Sequence, residues 1–180
     1  RNVDFQCSRI KPRTQFYTFF DGEDVTRFVT PKLLEVTMEQ GVFQVGETVK
    51  GFVPNTAFLG GSGPEINFRV AQTNHKYGAY DNPTIVYDVN PYSDTVGLSS
   101  TYSSTSSVLN VDVASLSLQV LGSFNGYAAK GMRLVGETSG AEAIVNDLRL
   151  VTDEKGSLQG SFFIPDATVN PTAPSFTTGV

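Results

Sequence analysis

The sequence predicts an all-β protein, and three observations carry that prediction. Gly (17), Phe (13) and Tyr (7) are abundant beside Ser, Thr and Val, a mixture that suits pleated strands and turns. Apolar and polar residues alternate with period two, as in Leu109-Asn110-Val111-Asp112-Val113 and Leu116-Ser117-Leu118-Gln119-Val120. No long stretch holds an i, i+3, i+4, i+7 apolar stripe, so any helix is short.

Taken in order, the elements are punctuated by turn residues at intervals of about ten. Asp21-Gly22, Gly60-Gly61-Ser62-Gly63-Pro64, Asn125-Gly126, Ser139-Gly140 and Lys155-Gly156 each permit positive φ where a chain reverses. Residues 72–97 alternate weakly, although Thr84-Ile85-Val86-Tyr87 reads as a strand. Ser99–Ser107, with six serines and two threonines around Tyr102, is too polar to enter a core. Leu109–Val113 and Leu116–Val120 read as strands. Asp153-Glu154-Lys155-Gly156 reads as a hairpin tip joining Leu148–Val151 to Leu158–Ile164. Residues 165–180 hold three prolines and fit an extended surface tail.

One segment is duplicated. Val45-Gly46-Glu47-Thr48 recurs as Val135-Gly136-Glu137-Thr138, offset by 90 residues, each four residues after a glycine (Gly41, Gly131). These copies suggest the edges of an insert. The expected organisation is a discontinuous β-sandwich of immunoglobulin/fibronectin-like type from residues 1–38 plus 147–180. A smaller β domain, 39–146, would be inserted between its halves.

Composition narrows the function. A chain of this length buries roughly 70% of the surface it exposes when unfolded, enough for an ordinary core. The net charge is −5 without a basic run, which argues against the clustered cationic face that nucleic-acid binding needs. Apolar runs fall short of a membrane span, and no signal-peptide pattern opens the chain. Cys7 is the single cysteine, so no internal disulfide forms, and a small buried apolar role is expected. The chain opens on Arg1 rather than Met, as a fragment or processed product does.

Candidate chemistry is sparse. His75 is the single histidine, so zinc sites of the usual N/S type cannot be assembled. A triad would need His75 as base, and no G-x-S-x-G elbow is present; a surface or interface histidine ordering its own loop is expected. Asp21-Gly22-Glu23-Asp24 offers carboxylates to a hard cation but reads better as a solvated hairpin turn. Paired carboxylates for glycoside cleavage converge in space rather than in sequence, although the absence of Trp argues against a sugar groove. No catalytic, cofactor or metal residue is assigned. Tyr77, Tyr80, Tyr87, Tyr92 and Tyr102 gather in the irregular middle. Loop aromatics stack on sugars or anchor protein partners, or they pack their own loops down; both readings stand.

Four stretches, taken together, carry a resemblance. They are Ile10-Lys11-Pro12-Arg13-Thr14-Gln15-Phe16-Tyr17-Thr18-Phe19-Phe20-Asp21-Gly22-Glu23-Asp24-Val25-Thr26, Asn74-His75-Lys76-Tyr77-Gly78, Gly136-Glu137-Thr138-Ser139-Gly140-Ala141, and Gly156-Ser157-Leu158-Gln159-Gly160-Ser161-Phe162-Phe163-Ile164-Pro165. The set resembles modular structural proteins of tailed bacteriophages, particularly contractile-tailed phages that infect cyanobacteria. The resemblance implies a virion component of the tail, baseplate or tail-fibre region, with other virion proteins as partners and no catalytic residue. It also implies that the chain continues past Phe176-Thr177-Thr178-Gly179. Self-association as a trimer or sixfold ring is the expected closure. The alternative is an adhesion module that binds host-surface glycan through the five tyrosines; a polysaccharide-cleaving enzyme ranks third.

Overall fold

The computed structural model describes residues 1–54, 63–117, 124–166, 168 and 176. Within them the chain is almost wholly β, as its composition predicts. The first strands are β1 (Asn2–Cys7), β2 (Phe19–Phe20), β3 (Glu23–Asp24), β4 (Val29–Pro31) and β5 (Leu33–Gln40), with a 3₁₀ turn at Thr26–Phe28. The middle holds β6 (Thr48–Phe52), β7 (Glu65–Arg69), β8 (His75–Gly78), β9 (Pro83–Val86), β10 (Val89–Asn90), β11 (Ser93–Gly97) and β12 (Val108–Asn110). A short helix, α1 (Val113–Ser117), precedes β13 (Asn125–Gly126), β14 (Arg133–Gly136), β15 (Glu142–Asp147) and β16 (Leu158–Phe163).

Two sheets organise these strands. The larger has seven, in the order β12-β5-β15-β14-β6-β7-β13, and the smaller has three, β1-β16-β4. All their pairings are antiparallel, and the opening and closing segments meet in the smaller sheet, with Asn2 opposite Phe163 and Cys7 opposite Leu158. Three two-stranded ribbons, β2-β3, β8-β9 and β10-β11, accompany this frame.

Half-buried alternation builds the larger core. Val49 and Gly51 are buried beside exposed Lys50 and Phe52, and Ala143 and Val145 face in on β15, which is the period-two pattern of a pleated strand. Leu34, Val49, Phe68, Leu109, Leu134 and Val145 form its centre. A second cluster, Val29, Leu150 and Leu158 with Phe5, Phe16 and Phe162 against it, lies under the smaller sheet. Buried polar side chains stitch the sheets together. The Asn2 amide donates to Gly126 O (2.8 Å) and to Ser161 Oγ (2.9 Å), while its Oδ1 accepts from Gly126 N (3.0 Å). Passage from β4 of the smaller sheet to β5 of the larger takes one residue, Lys32. Its N–H donates to Gln159 O (3.1 Å) of the smaller sheet, and its C=O accepts from Val111 N (2.8 Å).

The duplicated tetrapeptides become neighbours with different roles. The first copy turns at Val45-Gly46 and then starts β6; the second ends β14 and then turns. Antiparallel pairing sets Gly136 opposite Val49, and Glu137 N donates to Thr48 O (2.9 Å). The buried Glu47 carboxylate then caps the opposite turn. It accepts from Thr138 N (3.1 Å), Ser139 N (2.9 Å) and Ser139 Oγ (2.8 Å), besides Gln44 N (2.7 Å). Glu137 instead pairs with Lys50 at the surface.

Several expectations are corrected. Cys7 is exposed rather than buried, because it ends β1 where that strand leaves the sheet. Leu116 belongs to a helical turn, not a strand: Ser115 Oγ donates to Asp112 O (2.6 Å) and reinforces the turn. Asn125-Gly126 does not reverse the chain but pairs with Asn67 and Ile66 at the sheet edge. Asp153–Gly156 does turn tightly, yet its flanks part. β16 takes β1 and β4 as partners, while Val151 bridges Gln15. The longer ladder wins because it satisfies more backbone groups. Gly60–Ser62, Leu118, Val120 and most of the 165–180 tail lie outside the described residues.

Candidate functional site

Four of the five tyrosines, Tyr77, Tyr80, Tyr87 and Tyr92, fall on or beside the ribbons β8-β9 and β10-β11, and Tyr102 lies in the Ser99–Ser107 loop. Tyr102 is buried; its hydroxyl donates to Ala71 O (2.7 Å) and accepts from Asn110 N (3.0 Å). The polar Ser99–Ser107 loop stays outside, as expected, but sends this one ring into the larger core. Tyr92 donates to the carbonyls of Leu33 and Arg149, and the Arg149 guanidinium covers its ring at 4.7 Å. Tyr80 is covered in the same way by Arg69 at 3.9 Å. Tyr87 is buried and Tyr77 partly so, both beside the Lys76 ammonium at 5.5 and 5.9 Å. Burial raises the hydroxyl pKa of Tyr87, Tyr92 and Tyr102 above the ordinary phenol value.

His75 is buried, not at a surface. Its Nδ1 lies 3.2 Å from Lys32 Nζ and its Nε2 3.2 Å from Gly78 O. An ammonium can only donate, so Nδ1 is the acceptor and Nε2 carries the proton toward Gly78. Burial, with Lys32 adding to it, lowers the His75 pKa to about 4. Burial likewise lowers Lys32 to about 8, against the opposing pull of Asp112. Asp112 accepts from Arg69 Nε (2.8 Å) and Nη2 (2.6 Å), and the Asn110 amide donates to His75 O (2.7 Å). Polar residues from β5's approach, β7, β8 and β12 thus meet in one largely buried seam. The alternation that predicts a half-buried strand at Leu109–Val113 hides this seam, because its polar positions are as buried as its apolar ones.

A second polar cluster lies beside that seam. Lys76, on β8, contacts the Asp153 carboxylate, and the two side chains are 4% and 1% exposed. Glu154 Oε1 stands 4.0 Å from the same ammonium. Asp153 Oδ1 accepts from Lys155 N (2.8 Å) and Ser157 N (3.0 Å), whereas Asp153 Oδ2 and Glu154 Oε2 are buried without a hydrogen bond. The sequence predicts only a turn in this segment, and its signal is two acidic residues preceding a Lys-Gly tip. Asp21-Gly22 makes the predicted hairpin between β2 and β3, with Asp24 Oδ1 accepting from Thr26 N (2.9 Å). Among the described residues, no three His, Cys, Asp or Glu side chains converge as ligands for a metal ion, and no helix is long and apolar enough to cross a membrane.

Three aromatic side chains are exposed in and before the β2-β3 ribbon. Tyr17 and Phe19 are 62% and 66% exposed, and Phe20 is 40% exposed. Phe5, Phe19, Phe20, Val25, Val29 and Phe162 line a pocket of about 160 Å³ there. Phe176 rests edge-on against Phe20 at 5.2 Å. Comparison of the chain with protein-family models, curated proteins and solved structures returns no match.

Proposed function

We propose that the protein is a structural component of a tailed-phage virion, in its tail, baseplate or fibre region, acting by assembly with other virion proteins and with itself. The observation that carries this reading is the exposure of Phe19 and Phe20 at the mouth of an apolar pocket that they line. Large exposed apolar side chains gathered in one place mark contact surfaces, and a neighbouring subunit's apolar side chains suit this one. The ribbons add further exposed apolar positions, Ile85, Val86 and Val96. Polar clusters are instead buried under tyrosines, an arrangement that favours rigidity over turnover. The four stretches described above supply the phage context, as a resemblance.

Purified tailed particles from the source organism provide the test. Peptide mass spectrometry is expected to find the chain at a fixed ratio to the major tail proteins, and particle reconstruction to seat the Phe19–Asp24 hairpin in a subunit contact. Absence of the chain from intact particles would refute the assignment.

A further inference from the structure

We propose that Lys76 and Asp153 form an intramolecular isopeptide bond, closed by the folded protein itself with Glu154 as proton shuttle. The inference is independent of the virion reading, since every group involved belongs to one chain.

The reactive groups are already assembled. Lys76 Nζ is in contact with the Asp153 carboxyl, and both are almost fully buried. That contact lies outside hydrogen-bond geometry, because Oδ2 has no hydrogen bond despite the neighbouring ammonium. The other oxygen is pinned: Oδ1 receives the N–H groups of Lys155 and Ser157. Two fixed donors on one carboxyl oxygen are what an acyl-transfer site aims at a developing oxyanion. The turn is rigid as well. Asp153 O accepts from Arg13 N (3.3 Å), Asp153 N donates to Ser157 O (2.9 Å), and Thr152 Oγ1 donates to Lys11 O (2.7 Å). Tyr87 and Tyr77 cover the amine and exclude water.

The chemistry balances without an added reagent. A proton passes from the ammonium to the carboxylate, giving a neutral amine and acid and removing two buried charges. Nζ attacks Cγ, and the carbonyl electron pair moves onto Oδ1, where the Lys155 and Ser157 amides stabilise it. Glu154 takes a proton from the tetrahedral nitrogen and delivers it to the Oδ2 hydroxyl. That group leaves as water while the C=O bond re-forms. One C–O bond breaks, one C–N bond forms, and Glu154 is regenerated. Fixing amine and acid in contact supplies the driving proximity, worth effective concentrations of about 10⁵ M or more in well-oriented pairs. The product ties β8 to the turn that leads into β16, so it fastens the ribbons to the smaller sheet.

Intact-mass measurement of the denatured full chain tests this directly. The expected mass is one water below that of the sequence. Trypsin, unable to cut after an acylated lysine, is expected to release a branched peptide joining Lys76 to Asp153. Lys76→Arg keeps the cation but cannot form the amide, and should keep its full sequence mass. Glu154→Gln, checked for native circular dichroism, should slow bond closure after refolding about a hundredfold. A wild-type chain that stays folded at neutral pH with full sequence mass and a cleavable Lys76 overturns the proposal. So does a water loss that maps elsewhere, for example to Asp21-Gly22.

Discussion

At the scale of single residues, the buried polar side chains define this protein more than its apolar ones. Tyr102 is the clearest case, since its hydroxyl both donates to Ala71 O and accepts from Asn110 N inside the larger core. Tyr102→Phe orphans both backbone groups, so urea denaturation should show a loss of about 1–3 kcal/mol with an unchanged m-value. His75 makes stability depend on pH. Its folded-state pKa, about 4, lies below the ordinary histidine value, so the unfolded chain binds a proton that the folded chain refuses. Stability is therefore full above about pH 6.5 and falls as pH drops toward 4, by on the order of 2 kcal/mol. Lys32 acts in the same direction between about pH 8 and its ordinary value, because there too the unfolded chain holds the extra proton. Chemical denaturation at pH 7 and pH 5 should show the acid-side loss, and His75→Gln should flatten it; an equal slope in the variant would refute the assignment. Little of this was legible in the sequence. A lone histidine in a Tyr-rich stretch reads as a surface loop, because nothing nearby in sequence reveals that Lys32 and Asp112 close over it.

At the scale of elements, turn chemistry was the most readable signal. Asp21-Gly22 and Ser139-Gly140 reverse the chain where their residue types require it. Two glycines with similar backbone separate conformational strain from crowding. Gly22 has φ +80 with open space around its Cα, whereas Gly156 has φ +71 with Ile10 O 1.9 Å from where a Cβ would sit. Gly22→Ala should cost about 1 kcal/mol, the left-handed penalty alone, while Gly156→Ala should add at least about 2 kcal/mol for the displaced backbone. Equal thermal shifts in the two variants would contradict this. Strand partners were far less legible than turns. The Asp153–Gly156 turn predicts a hairpin by local logic, yet β16 pairs with strands from the opposite end of the chain. Both copies of Val-Gly-Glu-Thr fall at strand–turn junctions, but identical residues cannot announce that Glu47 caps the other copy's turn while Glu137 pairs with Lys50 at the surface.

At the scale of the whole molecule, the all-β class follows from composition and periodicity, and the arrangement of its sheets from contacts distant in sequence. Protection against hydrogen exchange should follow that arrangement. The amide of Val145, bonded to Met132 O where β15 meets β14 inside the seven-stranded sheet, should exchange slowest. The amides of the two-stranded ribbon β8-β9 should open at lower free energy, since paired ribbons have little stability of their own. Uniform protection across both would show one cooperative body with no weaker layer. The crossing at Lys32 has a mechanical consequence. With one residue between β4 and β5, its N–H bonded to Gln159 and its C=O to Val111, this crossing has no slack to act as a hinge. A pulling load on the outer strand of either sheet would travel along the covalent backbone and shear whole ladders at once, so the molecule should yield abruptly at high force rather than stretch by degrees.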